Sequence, residues 1–242
     1  MAPVEEKDAR GNVHRTTRNK DEGRGTPQGA PISPLLSNLY MRRFVLGWKT
    51  LGHEQGLQAR IVNYADDFVI CCRRRKGQSA YAAMRQMMQR LKLTVNETKT
   101  KLCQAPAETF DFLGYTFGRC YSPRTGRAFI GTRPAQKKIR KLCESISEAT
   151  SPRKRLLDAE EVVGRLNRKL RGWANYFKVG PVSKAYAAVD RHVTYRLRRW
   201  LCKKHKTPGA GFTRYPDAYL YQELGLVRLL GLKRNFPRRT HE

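Results

Sequence analysis

The sequence contains no long apolar run; none approaches the roughly 18 residues that a membrane span requires. Its first 30 residues are charged and glycine-rich and hold no apolar stretch of the kind a signal peptide carries. The six cysteines (Cys71, Cys72, Cys103, Cys120, Cys143, Cys202) form no C-x-x-C pair, and the five His do not stand near them at zinc-ligand spacing. A structural zinc is therefore not expected, and reduced thiols in a cytosolic protein are. Acid is scarce: 20 Asp+Glu face 49 Lys+Arg, a net charge of +29 over 242 residues. An enzyme acting on a small acidic substrate rarely needs so large an excess. A polyanionic partner does, because phosphate neutralisation dominates nucleic-acid affinity. With 40% hydrophobic residues, the chain also has too much core material to be a disordered basic tail.

The charge is uneven. Residues 1–130 hold 22 basic and 11 acidic residues, whereas the shorter stretch 131–242 holds 27 and 9. No internal repeat is visible, and the shift suggests two segments. Residues 1–25 show no apolar period and read as a loop or extended arm. Leu35, Leu36, Leu39, Tyr40, Phe44 and Trp48 fit a helix punctuated at its start by Pro31 and Pro34. Ile61-Val62-Asn63-Tyr64 and Phe68-Val69-Ile70-Cys71-Cys72, around Ala65-Asp66-Asp67, predict a hairpin whose second strand is buried on both faces. Residues 78–93 return to helical spacing, and strands are expected at 110–117 and around Ser122–Gly126. The first segment thus reads as α+β. The second reads as wholly helical, with helices around Ile139–Ile146, around Val162–Phe177 behind an Asp158/Glu161 capping box, and around Tyr186–Trp200. The last carries Lys184, Arg191, Arg198, Arg199 and Lys203 on its other face, and 218–232 reads as one more short helix.

Two features carry chemistry. Asp66-Asp67, at a tight turn between apolar strands, offers hard oxygen ligands of the kind Mg²⁺ takes, and carboxylates of this kind bracket phosphoryl transfer in two-metal sites. Taken alone, such a pair is more often a solvated turn. Gly25-Thr26-Pro27-Gln28-Gly29-Ala30-Pro31 is a stiff loop that lets a ligand approach the backbone, with Gln28 able to offer an amide to a base. Taken alone, it is more often a plain loop leading into a helix. Trp173, Phe177 and Trp200 read as core rather than stacking platforms.

Together the motifs G-T-P-Q-G-A-P-x-S-P-L-L-S-N (residues 25–38) and Tyr64-Ala65-Asp66-Asp67 resemble the reverse transcriptases encoded by group II introns. Leu91-x-Leu93-x-x-Asn96-x-x-Lys99-Thr100 and Phe112-Leu113-Gly114-Tyr115 are similar to that family's next motif and its primer grip. Leu166–Phe177 and Tyr195–Leu201 resemble its maturase, or thumb, region, so the likeness runs in family order from about residue 24 to 230. The resemblance implies an RNA-directed DNA polymerase that adds dNTPs to a primer 3′-OH on an RNA template, with intron RNA as a further partner. It implies that Asp66 ligates Mg²⁺ with Asp67 in support, that Pro27, Gln28, Gly29 and Tyr64 line the template and nucleotide, and that Lys99 lies near the nucleotide phosphates. Phe112, Leu113, Gly114 and Tyr115 would grip the primer, and Lys184, Arg191, Arg198, Arg199 and Lys203 would hold RNA.

The family's polymerase site takes a further Asp from an upstream palm strand, and relatives often carry Arg where Asn63 stands. Glu5, Glu6, Asp8, Asp21 and Glu22 lie in polar sequence without a strand pattern, and none is assignable to that role. The expectation is an N-terminally truncated, α+β partial right-hand palm followed by an all-helical thumb: an arm at 1–23, palm at 24–130 and maturase domain at 131–242. Such a chain is expected to be inactive alone, and a non-catalytic RNA-binding maturase remnant is the alternative. An upstream polymerase portion or self-association, the latter aided by exposed Met84 and Met88, are expected partners. A bacterial cytoplasmic location, without membrane, follows from the family's usual hosts.

Overall fold

The structure, a computed structural model, describes residues 4–7, 13–16, 29–122 and 124–232, the first two stretches by backbone only. Strands β1 (Val4–Lys7) and β2 (Val13–Thr16) pair antiparallel, Val4 opposite Thr16 and Lys7 opposite Val13. They fall where the polar sequence reads as a loop or arm. Four-residue strands are too short to leave an alternating pattern against so many charges. The chain divides into two compact units, 1–102 and 103–242.

In the first unit, α1 (Ser33–Thr50) runs through the short α2 (His53–Gly56) into the hairpin β3 (Ala59–Tyr64) and β4 (Asp67–Cys72), followed by α3 (Gly77–Arg90). Met41, Phe44 and Trp48 of α1 are buried against Ala59 of β3 and against Ala80, Met84, Met87 and Met88 of α3. The Trp48 indole N–H donates to the Ala59 carbonyl at 2.8 Å, and the Phe44 and Phe68 rings lie 5.2 Å apart. The hairpin register puts Ala59, Ile61 and Asn63 opposite Cys72, Ile70 and Phe68. Because strand side chains alternate, that set makes the inner face. Arg60, Val62 and Tyr64, opposite Cys71, Val69 and Asp67, make the other. This corrects the expectation that β4 is buried on both faces: Asp67 and Cys71, on its outer face, are exposed. Met84 and Met88, expected to expose apolar surface, are instead core.

In the second unit, β5 (Phe110–Phe112), β6 (Tyr115–Tyr121) and β7 (Ala128–Pro134) form an antiparallel sheet in sequence order. The 110–117 stretch is thus two strands, broken at Leu113-Gly114, which both have positive φ (51° and 79°). Two such residues make the turn that matches strand twist, and glycine adopts it without strain. Helices α4 (Gln136–Ala149), α5 (Ala159–Tyr176) and α6 (Ser183–Lys204) follow, with a 3₁₀ turn at Pro152–Lys154, a π-type turn at Tyr219–Glu223 and the one-turn α7 (Leu229–Leu232). Leu142 and Ile146, Val162, Leu166 and Leu170, and Tyr186, Val189, Val193 and Leu197 share one core. Phe177 and Trp200 are buried as expected and Trp173 is partly buried. The Asp158/Glu161 capping box does not form. Asp158 makes no side-chain cap bond, and Glu161 pairs with Arg165 one turn on, where a full guanidinium charge outbids a backbone N–H. The expected helix at 218–232 is the π-type turn and α7, held by polar side chains reaching from the bundle. The Asn167 amide donates to Gly225 O and accepts from Val227 N, and the Asp190 carboxylate accepts from Leu229 N and Leu230 N.

The unit boundary at 102/103 places the β5–β7 sheet with the helices, whereas the charge shift placed it with the palm. Tyr115 is the reason. Its hydroxyl donates to Tyr176 O at 2.6 Å, Tyr176 returns a bond to Leu113 O at 2.7 Å, and the Tyr115 ring lies 5.1 Å from Phe177.

Candidate active site and nucleic-acid interface

Hairpin β3–β4 turns through only Ala65 and Asp66, with Tyr64 directly opposite Asp67. Ala65 takes φ +53°, an uncommon conformation for a residue with a side chain. Asp66 therefore sits at the apex, Asp67 starts β4 on the outward face beside Tyr64, and both carboxylates are exposed. The hairpin is rigidly based, since Ala59 and Phe68 pack into the core beneath. Exposed oxygen donors on a fixed turn suit Mg²⁺, which takes one or two protein carboxylates and fills its shell with water and substrate phosphates. Among the described residues no group of three His, Cys, Asp or Glu could hold a metal.

Lys99, also exposed, follows a turn built by Asn96, whose side-chain oxygen accepts from Thr98 Oγ1 (2.7 Å) and Lys99 N (3.2 Å), and whose carbonyl accepts from Thr100 Oγ1 (2.9 Å). Glu97, one residue on, accepts from the Tyr81 hydroxyl at 2.9 Å and pairs with Arg85, which ties the turn to α3. Asn96 thus positions Lys99, a role the motif contained and the sequence reading left unassigned. Gly29 is exposed with φ +86°; Pro27 and Gln28 lie outside the described residues.

Phe112, Leu113, Gly114 and Tyr115 form the β5–β6 turn. At Gly114 a side-chain carbon would come within 3.1 Å of Lys138 Cε and 3.3 Å of Phe177 Cζ. Burial pushes the Tyr115 hydroxyl above its ordinary pKa.

The family model described as "Reverse transcriptase (RNA-dependent DNA polymerase)" matches residues 9–117, and the one described as "Group II intron, maturase-specific domain" matches residues 139–216. The chain belongs to the group II intron reverse transcriptase/maturases. No curated protein matches it. Its fold is the α+β palm-like part and helical region of such a protein, and none of its helices is long and apolar enough to cross a membrane, among the described residues.

In the maturase domain, α6 is two-sided. Lys184, Arg191, Arg199 and Lys203 are exposed, and Tyr195 between them is 48% exposed, with the Arg199 guanidinium 5.6 Å from its ring centroid and donating to its hydroxyl at 2.8 Å. Tyr195 was missed as a site residue, although its spacing of four before Arg199 and four after Arg191 puts it on the same stripe. Arg198 does not belong there. It is 4% exposed, donates from Nε to Tyr215 O at 2.8 Å, pairs with Asp217 and lies 4.4 Å over the Phe212 ring. The helical period turns it one position away from Arg199 and under the 211–217 segment.

Proposed function

We propose that the maturase domain holds intron RNA against the cationic stripe of α6. We propose also that the Asp66–Asp67 turn belongs to a Mg²⁺-dependent nucleotidyl-transfer site working on an RNA template, a DNA primer and dNTPs. The observation that carries the RNA reading is the one-sidedness of α6. Asp190, the only acidic residue on the helix, is buried and committed to Leu229 and Leu230, so nothing acidic on α6 offsets the exposed stripe. A solvated face usually mixes signs, whereas a phosphate-binding face does not. Tyr195 adds a flat surface on which an unpaired base can stack.

In the palm, Asp66 at the turn apex is the ligand of this reading and Asp67 its support, with Tyr64 toward the nucleotide or primer. Lys99 presents a point cation to the triphosphate. Pro27, Gln28 and Gly29 contact the templating base and incoming nucleotide, and the stiff turn from Phe112 to Tyr115 holds the primer end. Charge developing on the transferring phosphoryl group would be neutralised by the bound ion. Consecutive side chains on one hairpin diverge, so a two-metal clamp requires a further carboxylate from outside the described residues.

Primer extension on an RNA template with Mg²⁺ and dNTPs tests the second half. cDNA synthesis that Asp66→Ala abolishes is the expected result, and synthesis that Asp66→Ala leaves unchanged would overturn it. Filter binding tests the first half: affinity for intron RNA should fall steeply with salt, and no affinity at low salt would remove it.

A further inference from the structure

A concavity lies between α4 and α5 and includes none of the α6 cations. Ser145 and Glu148 of α4, Lys154 of the 3₁₀ turn, and Arg165, Arg168 and Lys169 of α5 line a cavity of about 240 Å³. Four cations and one acid, Glu148, line this concavity, so its lining keeps a net positive charge that favours an anionic ligand. Arg165 has Glu161, but among the described residues no ion pair engages Lys154, Arg168 or Lys169. Phosphate is the anion that fits such a wall.

The remaining two residues narrow the ligand. Glu148 lines the same cavity, and among the described residues it too has no ion pair. A carboxylate there would repel a bare phosphate. It becomes favourable only if the ligand also brings a hydroxyl donor beside its phosphate. Ser145 agrees with this: its proton is committed to Leu142 O at 2.9 Å, so its oxygen is left to accept. Cations for a phosphate beside two acceptors for a hydroxyl match a ribose phosphate, since the 2′-OH is the group that distinguishes RNA from DNA.

We propose that this cleft binds one ribose-phosphate segment of the RNA backbone, with Lys154, Arg168 and Lys169 on the phosphate and Glu148 accepting from the 2′-hydroxyl. The proposal rests on the reading that the domain binds RNA, and it adds a contact that selects RNA over DNA away from the α6 stripe.

The test uses the full chain with an RNA hairpin and a DNA hairpin of the same sequence, each titrated across a range of salt. Arg168, Lys169 and Glu148 are exposed, so their variants should fold, which a melting curve checks. In R168Q/K169Q the RNA slope of log affinity against log salt should become shallower by about 1 to 2. Glu148→Ala should weaken RNA severalfold and leave DNA unchanged, which lowers the RNA-over-DNA ratio. Tighter binding of both hairpins by Glu148→Ala would show a carboxylate that merely repels phosphate and would overturn the proposal. So would an unchanged slope in R168Q/K169Q while neutralising the α6 stripe flattens it, a result that leaves the broader reading intact. Failure of the unaltered chain to bind the RNA hairpin would overturn both.

Discussion

Replacing Arg198 by Met separates two roles that adjacent arginines play on α6. Methionine keeps the apolar stem and removes the guanidinium. The Tyr215 carbonyl, which accepts from Nε at 2.8 Å, loses its donor in a buried setting, at about 1–3 kcal/mol. The ion pair with Asp217 goes too. Breaking a fully buried pair costs about 3–5 kcal/mol, but the Asp217 side chain is 68% exposed and returns to water, which reduces that contribution to about 1 kcal/mol. The cation over the Phe212 ring adds about 0.5 kcal/mol at so exposed a ring. Urea denaturation should therefore find Arg198→Met destabilised by about 2.5–4.5 kcal/mol. Its RNA-binding salt slope, measured where the variant remains folded, should equal that of the unaltered chain. Arg199→Met should do the reverse, with stability within about 0.5 kcal/mol and a slope shallower by about 1. If Arg198→Met were as stable as the parent and flattened the slope, Arg198 would be an RNA contact and the assignment of the two sides of α6 would be refuted.

Gly114→Ala should cost about 1–3 kcal/mol in the same denaturation assay. It combines a left-handed backbone at about 1–2 kcal/mol with a carbon pressed 3.3 Å from the packed Phe177 ring; a change under about 0.5 kcal/mol would show that the β5–β6 turn is not docked there. Leu166→Ala, at a fully buried position on α5, should cost about 2–5 kcal/mol, checked by the same melts. His192 bridges α6 to α4, its Nε2 3.0 Å from Ser147 Oγ and 3.1 Å from Cys143 O, and burial, aided by the Arg196 charge, lowers its pKa below the usual 6.5 despite the Cys143 bond. A group whose folded pKa is depressed stabilises the fold above its unfolded pKa and loses that contribution as pH falls through the folded one. The unaltered chain should therefore lose stability on acidification below about pH 6.5, and His192→Gln should lose less over the same range; parallel pH profiles would refute the assignment.

The long apolar periods were legible because burial of one face leaves them in the sequence: Leu142 and Ile146, Leu166 and Leu170, Val189 and Val193 all reach the core. The Asp66-Asp67 turn was legible because two β-rich runs flank a polar pair. What escaped depends on partners distant in sequence. Arg198 reads as a surface cation until Tyr215 and Asp217 fold over it, and no local pattern marks Asn167 and Asp190 as partners of the 225–230 segment. The capping box failed to a competitor one turn away, Arg165. The outer face of β4 looked buried because Val69 and Cys71 are apolar, yet Val69 is half-buried and Cys71 exposed, and apolar residues at such positions are ordinary. Lys99 was legible as a cation, whereas the Asn96 turn that positions it required hydrogen-bond geometry.

The central claim is that the exposed side of α6 holds RNA through its charges. The most direct measurement is the salt dependence of intron-RNA binding by the unaltered chain and by K184Q/R191Q/R199Q/K203Q, with stability checked in parallel. Each phosphate contact contributes about 0.7–0.9 to the slope of log affinity against log salt. The account predicts a variant slope shallower by about 3, with little change in stability. A variant that folds normally and keeps the parent's slope and affinity would contradict it.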